Sequence, residues 1–162
     1  MGPREVALRI YCAGPLFSQA ERDFLAACAR RFRDEGFECF VPHEEEGRHE
    51  PTPEAVFALD FEALRRADVL FAWLDGPQVD DGTACEIGLF LGLMQEPGSP
   101  RKGIVGLATD RRVERRRALW DHGGINLFVA GAIRRAGRLC WSLDEVVSHV
   151  LEWRREGVAH DA

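Results

Sequence analysis

No apolar run in this chain reaches the ~18–20 residues that a membrane span needs, and the N-terminus carries no basic-then-apolar secretion signal. We therefore expect a cytoplasmic protein with no membrane partner. CxxC pairs are also absent. The five cysteines (Cys12, Cys28, Cys39, Cys85, Cys140) are odd in number, and several sit inside apolar segments. Reduced thiols are expected there, with no zinc or other metal site. An excess of positive charge is missing too. A formal charge of −6 argues against a nucleic-acid partner, because neutralising a phosphate backbone needs clustered cations. The one basic run, Arg111–Arg117 (RRVERRR), reads as a solvated helix face. There is no internal repeat and no interdomain linker. What is present is ordinary for a folded chain: 162 residues, 46% hydrophobic and 30% charged. That fits a single domain over residues 1–162, with little room for disorder.

Strand and helix patterns alternate along the whole length. Residues 6–12 (VALRIYC) read as a first strand, turned by Ala13-Gly14-Pro15. A helix starts at Ser18, which stands at capping-box spacing from Glu21, and it stops at Gly36. Residues 37–41 are a short strand closed by Pro42, and residues 43–51 (HEEEGRHEP) form a polar loop. Thr52-Pro53 opens a helix that runs to about Ala67. Residues 69–74 (VLFAWL) suit a strand covered on both faces. A loop over residues 75–82 leads to a helix over 83–95, then a loop over 96–102 and a strand over 103–108. Helical potential around residues 126–135, a strand over 138–141 and a helix from Ser142 complete the chain. Strands alternating with helices predict an α/β, flavodoxin-like (Rossmann-like) three-layer fold with five parallel strands. The order 2-1-3-4-5 is expected by analogy. It would bring residues 11–17 and 75–86 together beyond the carboxyl ends of strands one and three, where ligands bind in such sheets.

Two places carry unexpected acids. Asp75, Asp80, Asp81 and Glu86 crowd into LDGPQVDDGTACEIG, and like charges gathered in a cleft raise one another's pKa. Glu86 has small and apolar neighbours, which suggests partial burial in the first turn of a helix. Two readings share that place. Thr83-x-x-Glu86 fits a capping box, whereas a carboxylate favoured in its ionised form by a helix N-terminus fits a nucleophile. Asp60 falls on the apolar stripe Val56, Ala63, Leu64 and Ala67. It lies at the stripe's edge, bonds a loop backbone, or points into a pocket.

IYCAGPLF, VFALD ending at Asp60, LRRADVLFAWLD, VDDGTACEIG and INLFVAG together resemble the nucleoside 2-deoxyribosyltransferase family over roughly residues 8–136. The resemblance implies that Glu86 attacks C1′ to form a glycosyl ester and that Tyr11 holds this carboxylate in line. It implies that Asp60 assists departure of the base and that Asp80 accepts from the sugar 5′-hydroxyl. Asn126 resembles an asparagine that reaches the same hydroxyl from a neighbouring subunit, so a homo-oligomer, dimer or higher, is expected. Gly14 and Gly82 are expected around the substrate, with Phe17, His43 and Glu44 lining the base pocket. The implied substrates are deoxynucleosides and free nucleobases in nucleotide salvage, with no cofactor. The chemistry needs these residue types. Departure of a base builds positive charge at C1′, which a carboxylate stabilises and captures while a second acid protonates the base.

Cys85 stands where relatives often carry an aromatic residue, and residues 158–162 lack the aromatic end that some relatives contribute to the site. Base selectivity is thus open. One alternative activity is an N-glycoside hydrolase acting on nucleosides or their 5′-monophosphates. Asp80 and Asp81 would repel a phosphate there. Another is a non-catalytic nucleotide-binding module, which leaves the Tyr11, Asp60 and Glu86 set unexplained. A redox flavoprotein would need a hydroxyl- and glycine-rich phosphate loop after strand one, and none is present.

Overall fold

In the computed structural model, which describes residues 7–48 and 50–159, a five-stranded parallel sheet runs in the order β2-β1-β3-β4-β5. The elements are β1 (Arg9–Ala13), α1 (Gln19–Asp34), β2 (Glu38–Phe40), a 3-10 turn (Pro42–Glu45), α2 (Pro53–Arg66), β3 (Val69–Trp73) and α3 (Asp81–Met94). After these come β4 (Gly103–Leu107), α4 (Arg111–Arg117), α5 (Leu127–Ala136), β5 (Gly137–Cys140) and α6 (Leu143–Ala159). Both the fold class and the expected strand order hold.

Helices cover both faces, which explains the unbroken apolar runs in the central strands. β3 and β4 are buried at every position. Alternation along β1 sends Ile10 and Cys12 into the layer under α1 and α6, with Phe32, Phe71 and Val150. Tyr11 and Ala13 point the other way, into the layer under α2, α3 and α5 with Leu70, Phe90 and Ile133. The pleat thus decides which helices a tyrosine hydroxyl can reach. β4 and β5 approach so closely that a Cβ on Gly137 would lie 2.1 Å from the Ile104 carbonyl oxygen.

The helix signals act as expected at α1. Ser18 and Glu21 form the reciprocal capping box, and Gly36 follows the helix at φ +86°. Thr52 caps α2 by accepting from Ala55 N at 3.2 Å, and Ser142 accepts from Glu145 N at 3.2 Å at the start of α6. Several expectations need correction. Val6, the expected start of the first strand, lies outside the described residues, as do His49 and His160–Ala162. β1 begins at Arg9, where it gains Glu38 of β2 as a neighbour. The expected loop from residue 43 is partly a 3-10 turn, because Pro42 sets φ and Glu44 N reaches Val41 O at 3.0 Å. The basic run is a solvated helix as read, with Val113 its buried residue. On α2 the apolar stripe is half right: Leu64 and Ala67 are buried, but Val56 is exposed.

Candidate active site

The largest correction falls on Glu86. α3 starts two residues earlier than the expected Thr83, because Asp80 is its cap. Asp80 Oδ2 accepts from Thr83 N at 2.9 Å and from Thr83 Oγ1 at 3.1 Å. Thr83 is therefore spent as a donor, and the Thr83–Glu86 capping box does not form. Glu86 sits in the second helical turn. Its side chain turns to the sheet instead, where Tyr11 Oη donates to Glu86 Oε1 at 2.5 Å. Tyr11 is the chain's single tyrosine, fully buried, with its ring stacked on Phe40 at 5.2 Å between centroids.

Burial dominates the electrostatics of this pair. It pushes the Glu86 carboxyl up to about 7, against the lowering effect of the Tyr11 hydrogen bond and with help from the charges of Asp60 and Asp80. The expectation of a carboxylate kept low by a helix N-terminus is thus reversed, since that field fades within the first turn. Tyr11 is raised as well, by burial first and then by the charges of Glu86 and Asp60. The phenol stays protonated and remains the donor.

Glu86 and Asp60 open into one cavity of about 430 Å³ between α2 and α3, a size that suits a small-molecule ligand. Its other walls are mostly apolar: Pro51, Pro53, Val56, Phe57, Phe61, Leu64 and Leu89, with Thr52, Gly82 and Cys85. Of the three places considered for Asp60, the pocket is the one observed. Phe57 and Phe61 stack at 5.4 Å with planes 8° apart. The sequence reading missed both, although their i, i+4 spacing puts them on one side of α2 with Asp60 between them.

The remaining acids of the cluster have other tasks. Asp75 ties β3 to the segment after β4: its Oδ1 accepts from Thr109 N at 2.7 Å and Asp110 N at 2.9 Å, and Oδ2 from Trp73 Nε1 at 2.8 Å. Gly14 packs against Leu25 and Trp73, where an added Cβ would come within 3.3 Å. Phe17 is 82% exposed. Neither of them, nor His43 or Glu44, lines the cavity. His43 sits in the 3-10 turn, and its buried Nδ1 has no hydrogen-bond partner among the described residues. Glu44 pairs with Arg33 at 2.6 Å. Asn126 caps α5, its Oδ1 accepting from Phe128 N at 3.0 Å and Val129 N at 3.3 Å. It is exposed and lies outside its own chain's cavity, beside Leu127 (71% exposed) and Phe128 (89% exposed).

A second cavity of about 720 Å³ lies between α2 and strands β1 and β2. Arg9 pairs there with Glu38 at 3.5 Å and Arg66 with Glu62 at 2.6 Å. Among the described residues no cluster of three or more His, Cys, Asp or Glu could hold a metal ion. No helix among them is long and apolar enough to cross a membrane.

A parallel α/β sheet that aims a tyrosine at a half-buried glutamate beneath an apolar cavity describes a class of small-molecule enzyme. Comparison with known proteins makes the class specific. The family model described as nucleoside 2-deoxyribosyltransferase matches residues 10–127, and the chain belongs to that family. An uncharacterized protein of Ureaplasma parvum is 31% identical, over 89% of this chain and 94% of its own. A conserved protein of Enterococcus faecalis V583 has a similar structure, with a TM-score of 0.72 and 25% identity, over 90% of this chain and 98% of that one. The fold is also that of a 2-deoxyribosyltransferase from the psychrotolerant bacterium Bacillus psychrosaccharolyticus. That match has a TM-score of 0.63 and 23% identity, over 86% of this chain and 90% of that one.

Proposed function

We propose that this protein transfers a 2-deoxyribosyl group between nucleobases by double displacement through a covalent glycosyl ester on Glu86. The observation that carries the reading is the Tyr11–Glu86 hydrogen bond at the cavity that Asp60 also lines. One carboxylate oxygen is held by the phenol, which leaves the other for C1′. As the bond from C1′ to the base nitrogen breaks, the Glu86 oxygen forms a bond to C1′. Asp60 gives a proton to the departing base. A second base then attacks C1′ from the vacated face and gives its N–H proton back to Asp60, and the ester bond breaks to return the carboxylate. Two inversions give net retention.

The apolar walls suit a nucleobase, and the cavity-lining residues include no arginine, lysine or histidine. A 5′-phosphate would meet no cation among them, with Asp80 close enough to raise the Glu86 pKa. Neutral deoxynucleosides are therefore the substrates, an activity that fits nucleotide salvage in the cytoplasm. Asn126 acts on a neighbour's sugar, because it stands outside its own cavity beside the exposed Leu127 and Phe128. The deciding experiment incubates the protein with deoxyadenosine, with and without free cytosine, and separates the products. A new deoxynucleoside supports transfer, free base alone indicates a hydrolase, and no change indicates a binding module.

A further inference from the structure

Arg101 stands in the segment between α3 and β4, with its side chain only 6% exposed. Its guanidinium donates to the last turn of each helix that frames the reaction cavity. Nη2 reaches Arg65 O of α2 at 2.6 Å, and Nη1 reaches Leu93 O of α3 at 3.3 Å. Nη1 also donates to Ser99 Oγ at 3.0 Å, and the group lies 5.9 Å from the centre of the buried Phe90 ring. Glu96, an exposed acid, approaches only to 3.8 Å. Nε is buried with no hydrogen-bond partner among the described residues. The C-terminal ends of helices present unpaired carbonyls and a partial negative charge, so a cation between two of them holds both. Gripping two carbonyls at once needs the planar fork of arginine, because a lysine ammonium is a single point of charge.

This clamp closes one end of a wedge. Leu64 follows Asp60 by one turn on α2, and Phe90 follows Glu86 by one turn on α3. Leu64 and Phe90 are fully buried in one apolar cluster, so the two helices meet at that level. One turn nearer the N-termini, Asp60 and Glu86 open into the cavity. The other flank of α2 is open as well, where Leu59, Ala63 and Arg66 line the cavity of about 720 Å³. With space on two sides, α2 is fixed mainly at its C-terminal end, where Leu64 and Ala67 are buried and Arg65 O is held.

From this arrangement we propose that Arg101 is a positioning residue: by tying the ends of α2 and α3 together, it sets how Asp60 stands to Glu86. It touches no substrate and acts through the angle of α2. Its effect on turnover rests on the proposed transfer reaction, whereas its effect on the state of Glu86 does not. Three groups face the Glu86 carboxyl: Tyr11 from β1, Asp60 from α2 and Asp80 at the start of α3. Burial and the two acid charges push that carboxyl up, against the phenol's hydrogen bond. If α2 swings toward the second cavity, water enters and the Asp60 charge moves away. Glu86 then ionises at lower pH.

The test compares the whole protein with Arg101→Lys, Arg101→Met and a control, Arg66→Met, which removes an exposed arginine from the same end of α2. The chain's one tyrosine is bonded to Glu86. Its ring resonances, followed against pH without substrate, therefore report the ionisation of Glu86 even if no exchange is detected. Deoxyribosyl exchange is measured in parallel at a pH above every midpoint. In both Arg101 variants the midpoint should fall by about half a pH unit or more. Their kcat should fall by about 10-fold or more with KM nearly unchanged, because a misplaced proton donor is felt in the transition state. Arg66→Met should match the parent in midpoint and rate. Arg101→Lys keeps the charge but not the fork, and carries the test if Arg101→Met does not fold. A variant that melts earlier while midpoint and kcat stay unmoved has lost only structure, and overturns the proposal. A loss confined to KM overturns it too. A lowered midpoint in a protein with no detectable exchange supports the clamp and removes the transfer reading instead.

Discussion

The Tyr11 hydroxyl and the Glu86 carboxylate, 75 positions apart in the chain, are joined by a hydrogen bond of 2.5 Å. β1 supplies a donor locked by full burial and by stacking on Phe40, and α3 supplies an acceptor at the edge of a cavity. Such a pair can aim one carboxylate oxygen without consuming both.

Removing either partner should cost activity more than stability. Glu86→Ala or Glu86→Gln should lower turnover by at least ~10³-fold, the scale of lost covalent catalysis. Tyr11→Phe keeps the ring and the stack, and loses only the donor. A drop of about 10-fold to 100-fold is expected from the looser carboxylate. Steady-state exchange rates, alongside circular dichroism to confirm folding, check both. Near-normal rates in the Glu86 variants would remove it from the reaction.

The same burial that prepares Glu86 sets a pH dependence. With the carboxyl pushed up to about 7, kcat/KM should rise with pH through that value as the nucleophile ionises. The linked stability runs the other way. A folded pKa raised above the ordinary 4.5 contributes stability that is fully present below the ordinary value and is lost as pH rises through about 7. Glu86→Gln should therefore raise stability at pH 8 by about 1–3 kcal/mol, discounted for partial exposure, and change little near pH 4. Denaturant melts of both proteins at the two pH values check the sign. Equal stability of the two at pH 8 would contradict the buried charge.

The sheet was legible because its signals are local and repeated: apolar runs at β3 and β4, and caps at Ser18, Thr52 and Ser142. The strand order needed analogy, since parallel neighbours are far apart in sequence. Glu86 and its contact with Tyr11 were legible through the family motifs, whereas the local sequence left a capping role equally open. Thr83-x-x-Glu86 satisfies the capping pattern, and only three dimensions show that Asp80 takes the cap. Phe57 and Phe61 were passed over because an apolar pair on a helix is usually core. That α2 leaves a gap beside α3 depends on packing that no single segment encodes. Asp75 was misleading for a related reason. In sequence it belongs to an acidic cluster, yet in space it anchors the backbone of Thr109 and Asp110.

Assembly is testable through Asn126, whose side-chain oxygen already caps α5. Asn126→Ser keeps a capping acceptor and removes the amide, whereas Asn126→Ala loses the cap as well, at about 1 kcal/mol. Light scattering should show a dimer or larger. Mixing Glu86→Gln with Asn126→Ser protomers should recover part of the activity that each lacks, if the asparagine serves a neighbour. A fully active monomer, or no recovery on mixing, would place its action within one chain.

Asp80 allows charge and structure to be separated at one position. Its Oδ2 caps α3 through Thr83, so Asp80→Ala should cost about 1 kcal/mol of stability, while Asp80→Asn or Asp80→Ser keeps an acceptor. The charge is the functional variable. Two unit charges at ~4 Å repel by about 4 kcal/mol at an effective dielectric near 20, so deoxynucleosides should react far faster than their 5′-monophosphates. Asp80→Asn should narrow that gap. The same substitution removes one of the charges that hold the Glu86 pKa up, so the acid limb of the rate profile should move to lower pH in that variant. A merely structural Asp80 would leave that limb unmoved. The sugar is a separate prediction: if the phenol held against Glu86 crowds C2′, ribonucleosides should be poor substrates. Measured kcat/KM for deoxyadenosine, deoxycytidine, their monophosphates and the matching ribonucleosides resolves both parts. Monophosphates that win by a wide margin would overturn the electrostatic argument in favour of hydrolysis. Ribonucleosides that match deoxynucleosides would remove only the steric role of Tyr11.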